Sequence, residues 1–92
     1  MNYVIELTQE AEADIQKHKK SGDKSVLYKI DQLLDELREH PSIGTGKPEL
    51  LKHYKIPTWS RRINQKHRLV YRIEEEKIVV LVLSLSGHYE DK

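Results

Sequence analysis

Cysteine is missing from the 92 residues, so neither a disulfide framework nor a thiolate metal site is available, and a reducing cytoplasm is the expected compartment. Long apolar runs are missing as well. The longest, IVVLVL at 78–83, is far too short to cross a bilayer, so no membrane span is expected. The opening residues, MNYVIELTQE, have neither a basic start nor a long apolar run, and no signal peptide is expected. Internal repeats, low-complexity segments and linker-like stretches are also lacking, so residues 1–92 are expected to form one domain around a single core.

Net charge is almost absent too, at +1, but it is unevenly spread. Residues 1–46 hold six Lys/Arg against nine Asp/Glu, a balance of −3, and residues 47–92 hold ten against six, a balance of +4. Between 47 and 72 the contrast sharpens: Lys47, Lys52, Lys55, Arg61, Arg62, Lys66, Arg68 and Arg72 face one acid, Glu49, a local balance of +7. Such a cluster is either the footprint of a polyanion partner or a solvated face offset by the acidic first half.

The segment NYVIEL alternates, with Tyr3, Ile5 and Leu7 on one side, and reads as a half-buried strand. Thr8 can cap a helix that carries Glu10 and Glu12 in its first turn and Lys17, Lys19 and Lys20 in its last, and Gly22 stops it. Asp23 can cap a second helix, whose Val26, Leu27, Ile30, Leu33, Leu34 and Leu37 fall on one stripe, and Pro41 ends it. SIGTGKPEL (42–50) is a loop; it lacks the spacing and the strand–helix context of a phosphate loop. Extended stretches are expected over 51–55, 58–64, 67–74 and 77–86, with turns at Asn64-Gln65-Lys66 and Glu74-Glu75-Glu76. IVVLVL reads as a central strand buried on both faces. The fold class is therefore α+β: an N-terminal strand, a helical hairpin, then a three- to four-stranded antiparallel sheet.

The basic half offers RNA two things. Its cations neutralise phosphates, and Tyr54, Trp59, Tyr71 and Tyr89 are candidate stacking surfaces. Strand alternation puts Ser60 and Arg62 on one face and Arg68, Val70 and Arg72 on one face of the next strand. Arg62 and Arg68 can then meet across a hairpin and hold one phosphate. Trp59 reads as a core residue. Binding alone does not need Glu49, which is either an ordinary ion-pair partner of Lys47 or Lys52, or a general base. His88, beyond the last strand, is either simply exposed or a general acid. A carboxylate, an arginine and a histidine could divide the tasks of metal-free RNA cleavage. No histidines stand at metal-ligand spacing with acids nearby, so neither metal nor other cofactor is expected.

GKPELLKH (46–53), WSRRINQKHRLVYRI (59–73) and HY (88–89) together resemble the YoeB/Txe branch of the RelE-type toxins of bacterial type II toxin–antitoxin systems. The resemblance implies a RelE-like, microbial-ribonuclease-like fold and a ribosome-dependent, metal-independent messenger-RNA endonuclease acting in the A site. It implies Glu49 as general base, Arg68 as the charge stabiliser at the scissile phosphate, His88 as general acid, and Tyr89 as helping to place the base or the phosphate. Lys52 and Arg62 would contact RNA, with Arg61, Lys66 and His67 completing the basic segment. The implied partners are a YefM-like antitoxin, the ribosome with its messenger RNA, a second copy in a homodimer, and operator DNA through the antitoxin alone. A gyrase-poisoning toxin of ParE type shares the scaffold without the base–arginine–acid set; the other alternative is a degenerate relative that binds its antitoxin and cuts nothing, since activity depends on how the set is placed. The chain departs from this branch in Ser86-Gly87 before the histidine and in the extra Glu90-Asp91-Lys92.

Overall fold

A computed structural model describes residues 2–87 of the chain. β1 (Val4–Leu7) leads to α1 (Gln9–Ser21) and α2 (Lys24–Glu39), and then come β2 (Glu49–Leu50), β3 (Trp59–Arg62), β4 (Arg68–Glu74) and β5 (Val79–Ser84). Among the described residues the strands form one sheet in the order β1-β5-β4-β3-β2. β1 runs parallel to β5 and every other pair is antiparallel. This is the α+β arrangement that the residue pattern predicts.

Local chemistry sets the helix boundaries. The Thr8 hydroxyl accepts from the Ala11 N–H at 3.1 Å and donates to the Leu83 carbonyl at 2.8 Å, so one side chain starts α1 and ties it to β5. Gly22, at φ 73°, takes the left-handed conformation that closes α1. Asp23 accepts from the N–H groups of Ser25 and Val26, which starts α2 one residue later. The Ser25 hydroxyl also donates to Asp23, at 2.7 Å, and this bond, with the one from the Val26 N–H, holds the Asp23 carboxyl below its ordinary range.

Both helices lie on one face of the sheet. Val26, Ile30, Leu33 and Leu37 from α2 and Ala11 from α1 pack on Leu69, Tyr71, Val80 and Val82, with Ile63 and Leu85 closing the core. Trp59 is half-buried against this cluster, in keeping with a structural role. Tyr71, a stacking candidate by sequence, has no exposed surface and belongs to the core. Among the described residues no helix is long and apolar enough to cross a membrane.

Two expectations about strands need correcting. The stretch 51–55 is not a strand: pairing stops after Glu49–Leu50, one further bond joins the Leu51 N–H to the Thr58 carbonyl, and His53 turns the chain at φ 68°. Residues 52–57 are all exposed, so they have no buried face to hold them extended. β5 is second in the sheet and not central, and only its helix-facing Val80 and Val82 are fully buried, while Leu81 and Leu83 stay half-buried because no helix covers the other face.

The dual role of Thr8 predicts that Thr8→Ala lowers unfolding free energy by about 1–2 kcal/mol in urea titrations, at the upper end of the usual capping effect. A change under about 0.3 kcal/mol would show that the cap and the β5 contact contribute nothing.

Candidate active site

Register on the uncovered face brings the basic residues together. Glu49 pairs with Ser60, Ser60 with Val70, and Arg62 with Arg68, so these side chains share one face of three adjacent strands. The Arg62–Arg68 juxtaposition is the one that alternation predicts. The Glu49 carboxylate stands 3.8 Å from the Arg68 guanidinium, and Arg68 donates to the Ser60 hydroxyl at 3.4 Å. Glu49 is 63% exposed, so the ion pair adds little stability. Its significance is geometric. Lys47, Pro48, Glu49, Arg62 and Arg68 line a recess of about 250 Å³, in which three cations surround one carboxylate. A second recess, of about 310 Å³, is lined by Glu10, Tyr54, Val70, Leu83, Ser84, Ser86 and Gly87.

The loop that carries Glu49 is held by Arg61, whose side chain is fully buried. This corrects the expectation that Arg61 contacts RNA. Alternation could have revealed it, because Arg61 shares a parity with the core residue Trp59 and opposes Leu69. The guanidinium donates from Nε to the Tyr71 hydroxyl, from Nη1 to Glu36 and to the Thr45 carbonyl, and from Nη2 to the carbonyls of His40 and Ile43. Every N–H of the group therefore has an acceptor. Tyr71 in turn donates to the Pro41 carbonyl at 2.6 Å. Burial pushes the Tyr71 hydroxyl up, against the opposing effect of Arg61. For Glu36, burial works to raise the carboxyl, yet the hydrogen bonds from Thr45 and the Arg61 charge outweigh it and hold the group below its ordinary value.

Close backbone approach completes the latch. Arg62 donates its N–H to the Gly46 carbonyl at 2.7 Å, and a Cβ on Gly46 would lie 2.8 Å from the Arg62 carbonyl oxygen. Only glycine fits there. Lys47 follows at φ 51°, and the chain then turns through Pro48 into the strand residue Glu49.

The remaining candidates divide. Lys52 and Lys66 are exposed, and Lys66 sits in a turn where the Asn64 side chain accepts from the N–H groups of Lys66 and His67 at 2.8 Å each. His67 is half-buried: its ring meets His18 edge-on, and its Nδ1 accepts from the Gly87 N–H at 2.9 Å. The Gly87 carbonyl accepts from the Arg68 N–H at 3.1 Å, so the described chain ends beside Arg68. His88, Tyr89 and the Glu90-Asp91-Lys92 extension lie outside the described residues.

A family described as "YoeB-like toxin of bacterial type II toxin-antitoxin system" matches residues 7–89. The chain belongs to this family. Among YoeB relatives, Toxin YoeB of Escherichia coli (strain K12) is 43% identical over 67 residues, covering 73% of this chain and 77% of that one. The YoeB/ParE toxin from Agrobacterium tumefaciens superposes with a TM-score of 0.86 at 31% identity, over 94% of this chain and 99% of its own. The YoeB of Staphylococcus aureus has been solved as a dimer, with a TM-score of 0.81 at 33% identity, and as a YoeB–YefM complex, with 0.79 at 31%. Each S. aureus match covers 97% of this chain and 100% of the other. This YoeB-type toxin thus has its family's fold, and the GKPE and HRLVY segments meet at the recess.

Adjacent arginines should behave oppositely in urea unfolding. Arg61→Lys, which cannot reproduce the fork of bonds, should cost about 3 kcal/mol or more, and the exposed Arg62→Ala within about 0.5 kcal/mol. The depressed Glu36 carboxyl adds a sign. Its contribution is complete above the ordinary carboxylate range and is lost as pH falls through the lower folded-state value. The stability gap between wild type and Glu36→Gln should therefore narrow between about pH 6 and pH 3; a gap that widened on acidification would contradict the latch.

Proposed function

We propose that this YoeB-type toxin is a ribosome-dependent, metal-independent messenger-RNA endonuclease that stops translation by cutting in the A site. The observation that carries this reading is the Glu49 carboxylate standing 3.8 Å from the Arg68 guanidinium within a basic recess. A surface built only to bind a polyanion gains nothing from a carboxylate at its centre, because that charge repels the phosphate its neighbours attract.

The roles follow from the chemistry of phosphodiester transfer. Glu49 takes the proton of the 2′-hydroxyl, and the freed oxygen attacks the adjacent phosphorus. Arg68, fixed by Ser60 and by its own backbone bond to Gly87, faces the negative charge that builds on the non-bridging oxygens. The bond from phosphorus to the 5′-oxygen breaks, and that oxygen takes a proton from His88, while Tyr89 helps to place the base or the phosphate. The products are a 2′,3′-cyclic phosphate and a 5′-hydroxyl, and no electrons are gained or lost. Arg62, which lines the recess, and Lys52 and Lys66, which are exposed, hold the RNA backbone. Arg61 takes no part in contact and acts by holding the Glu49 loop.

The complex formed by the S. aureus relative supports a YefM-like antitoxin as the cognate partner. In this reading the antitoxin covers the basic face and links the toxin to operator DNA. The S. aureus dimer supports self-association. The ribosome supplies the messenger RNA in a fixed path, and the cytoplasm is where the toxin acts.

Primer extension on one reporter messenger RNA tests the reading, with and without translating ribosomes. Wild type should cut only with ribosomes, and Glu49→Ala and Arg68→Ala should lower the rate by about 10²-fold or more while leaving the protein folded. Growth arrest without cleavage would overturn the nuclease reading and direct attention to gyrase. RNA binding should also weaken steeply with salt, and each of Arg62→Ala and Lys66→Ala should reduce the log–log slope by about 1. A flat salt profile would remove these residues from the RNA contact.

A further inference from the structure

Two buried polar side chains of α1 are not used by the mechanism above. Asp14 and His18, one helical turn apart, are each 5% exposed. Both are bonded to the backbone of a single residue, Leu85, just beyond β5. Asp14 accepts from the Leu85 N–H at 2.9 Å, and His18 Nε2 lies 2.9 Å from the Leu85 carbonyl oxygen. A carbonyl oxygen only accepts, so Nε2 carries the proton in this arrangement. The clamp continues through His67, whose ring centroid is 4.7 Å from that of His18 at 79° between planes. His67 Nδ1 accepts from the Gly87 N–H, which requires that Nδ1 carry no proton, and the Gly87 carbonyl takes the Arg68 N–H.

Side chains and backbone from α1, the 63–67 turn and β4 thus bind the N–H and C=O of both Leu85 and Gly87. Docking a helix on a sheet does not need this. Apolar contacts hold the rest of α1, and burying a carboxylate is costly unless every bond is made. What polar contacts of this kind achieve is a fixed backbone position, because two bonds from one helix face determine where Leu85 sits and which way it points. Gly87, at φ 81° with open space where a Cβ would stand, is then the last joint before residue 88.

We infer that Asp14, His18 and His67 are positioning residues that set the Leu85–Gly87 backbone, and through it the approach of the residue-88 imidazole to the scissile phosphate. The inference rests on the reading of His88 as general acid. Its signature is chemical. A defect in acid placement hurts departure of the 5′-oxygen and spares a leaving group that needs no proton.

The test is single-turnover cleavage of two ribosome-bound messenger RNAs, one all-oxygen and one with a bridging 5′-sulfur at the A-site scissile phosphate. The variants are His67→Ala, His18→Ala, Asp14→Ala, His88→Ala and Glu49→Ala. With oxygen, the three clamp variants should cut about 10- to 100-fold more slowly than wild type, and with sulfur each should return to within about threefold. His88→Ala should show the same recovery and Glu49→Ala should not. His67→Asn and His18→Gln, whose amides place an acceptor and a donor near the lost ring nitrogens, should restore cleavage of the oxygen substrate; this separates positioning from simple loss of folding. Equal losses on both substrates, or no loss on oxygen, would overturn the inference while leaving His88 as the acid. Failure of sulfur to rescue His88→Ala itself would instead remove the acid assignment, and the positioning role with it.

Discussion

A buried guanidinium demands an acceptor for each N–H, and the active-site loop is shaped by that demand. Arg61 lies on the covered face of the sheet, where alternation would otherwise require an apolar side chain. It is tolerated because the end of α2 and the loop after it fold over it, delivering one carboxylate and three backbone carbonyls, while β4 supplies the Tyr71 hydroxyl. A segment containing Gly44, Gly46 and Pro48, with no secondary structure of its own, gains one conformation from this single side chain. Gly44 shows how tightly it closes, since a Cβ there would collide with the Glu36 carboxylate. Lys47-Pro48-Glu49 leaves the latch in a defined direction, and the Glu49 carboxylate arrives beside Arg68.

The sheet then separates two tasks by parity. Side chains facing the helices make the core; those facing away make the recess, and β3 alternates between them residue by residue from Trp59 to Arg62. Across β3 and β4 the uncovered face carries Ser60, Arg62, Arg68 and Arg72 around Val70, and on β5 it leaves Leu81 and Leu83 half-buried. Its open strands suit an elongated polyanion better than a small compact ligand. The same architecture lets the backbone of Arg68 take part in holding Gly87 while its side chain faces the recess.

Local signals carried the helices. Thr8, Gly22 and Asp23 act within a few residues of themselves, so their capping was legible in the sequence, as was the α2 stripe. The meeting of Arg62 and Arg68 was legible too, because a turn at 64–66 and strict alternation leave little choice of register. The burial of Arg61 was not legible from charge: its acceptors lie up to 25 residues away, and a charge count does not distinguish a buried cation from an exposed one. The partners of Asp14 and His18 are 71 and 67 residues distant, so nothing local hinted at the clamp. The expected strand at 51–55 failed for a related reason, since extended propensity without a neighbour to pair with or a face to bury does not make a strand.

The 3′ end left on the cut messenger RNA tests the chemistry most directly. Mass spectrometry of the upstream fragment, from a reaction on translating ribosomes, should find a 2′,3′-cyclic phosphate, as attack by a neighbouring 2′-oxygen requires. A 3′-hydroxyl, with the phosphate carried by the downstream fragment, would mean that water or another external nucleophile attacks, and would contradict the assignment of Glu49 as the base that activates the 2′-hydroxyl.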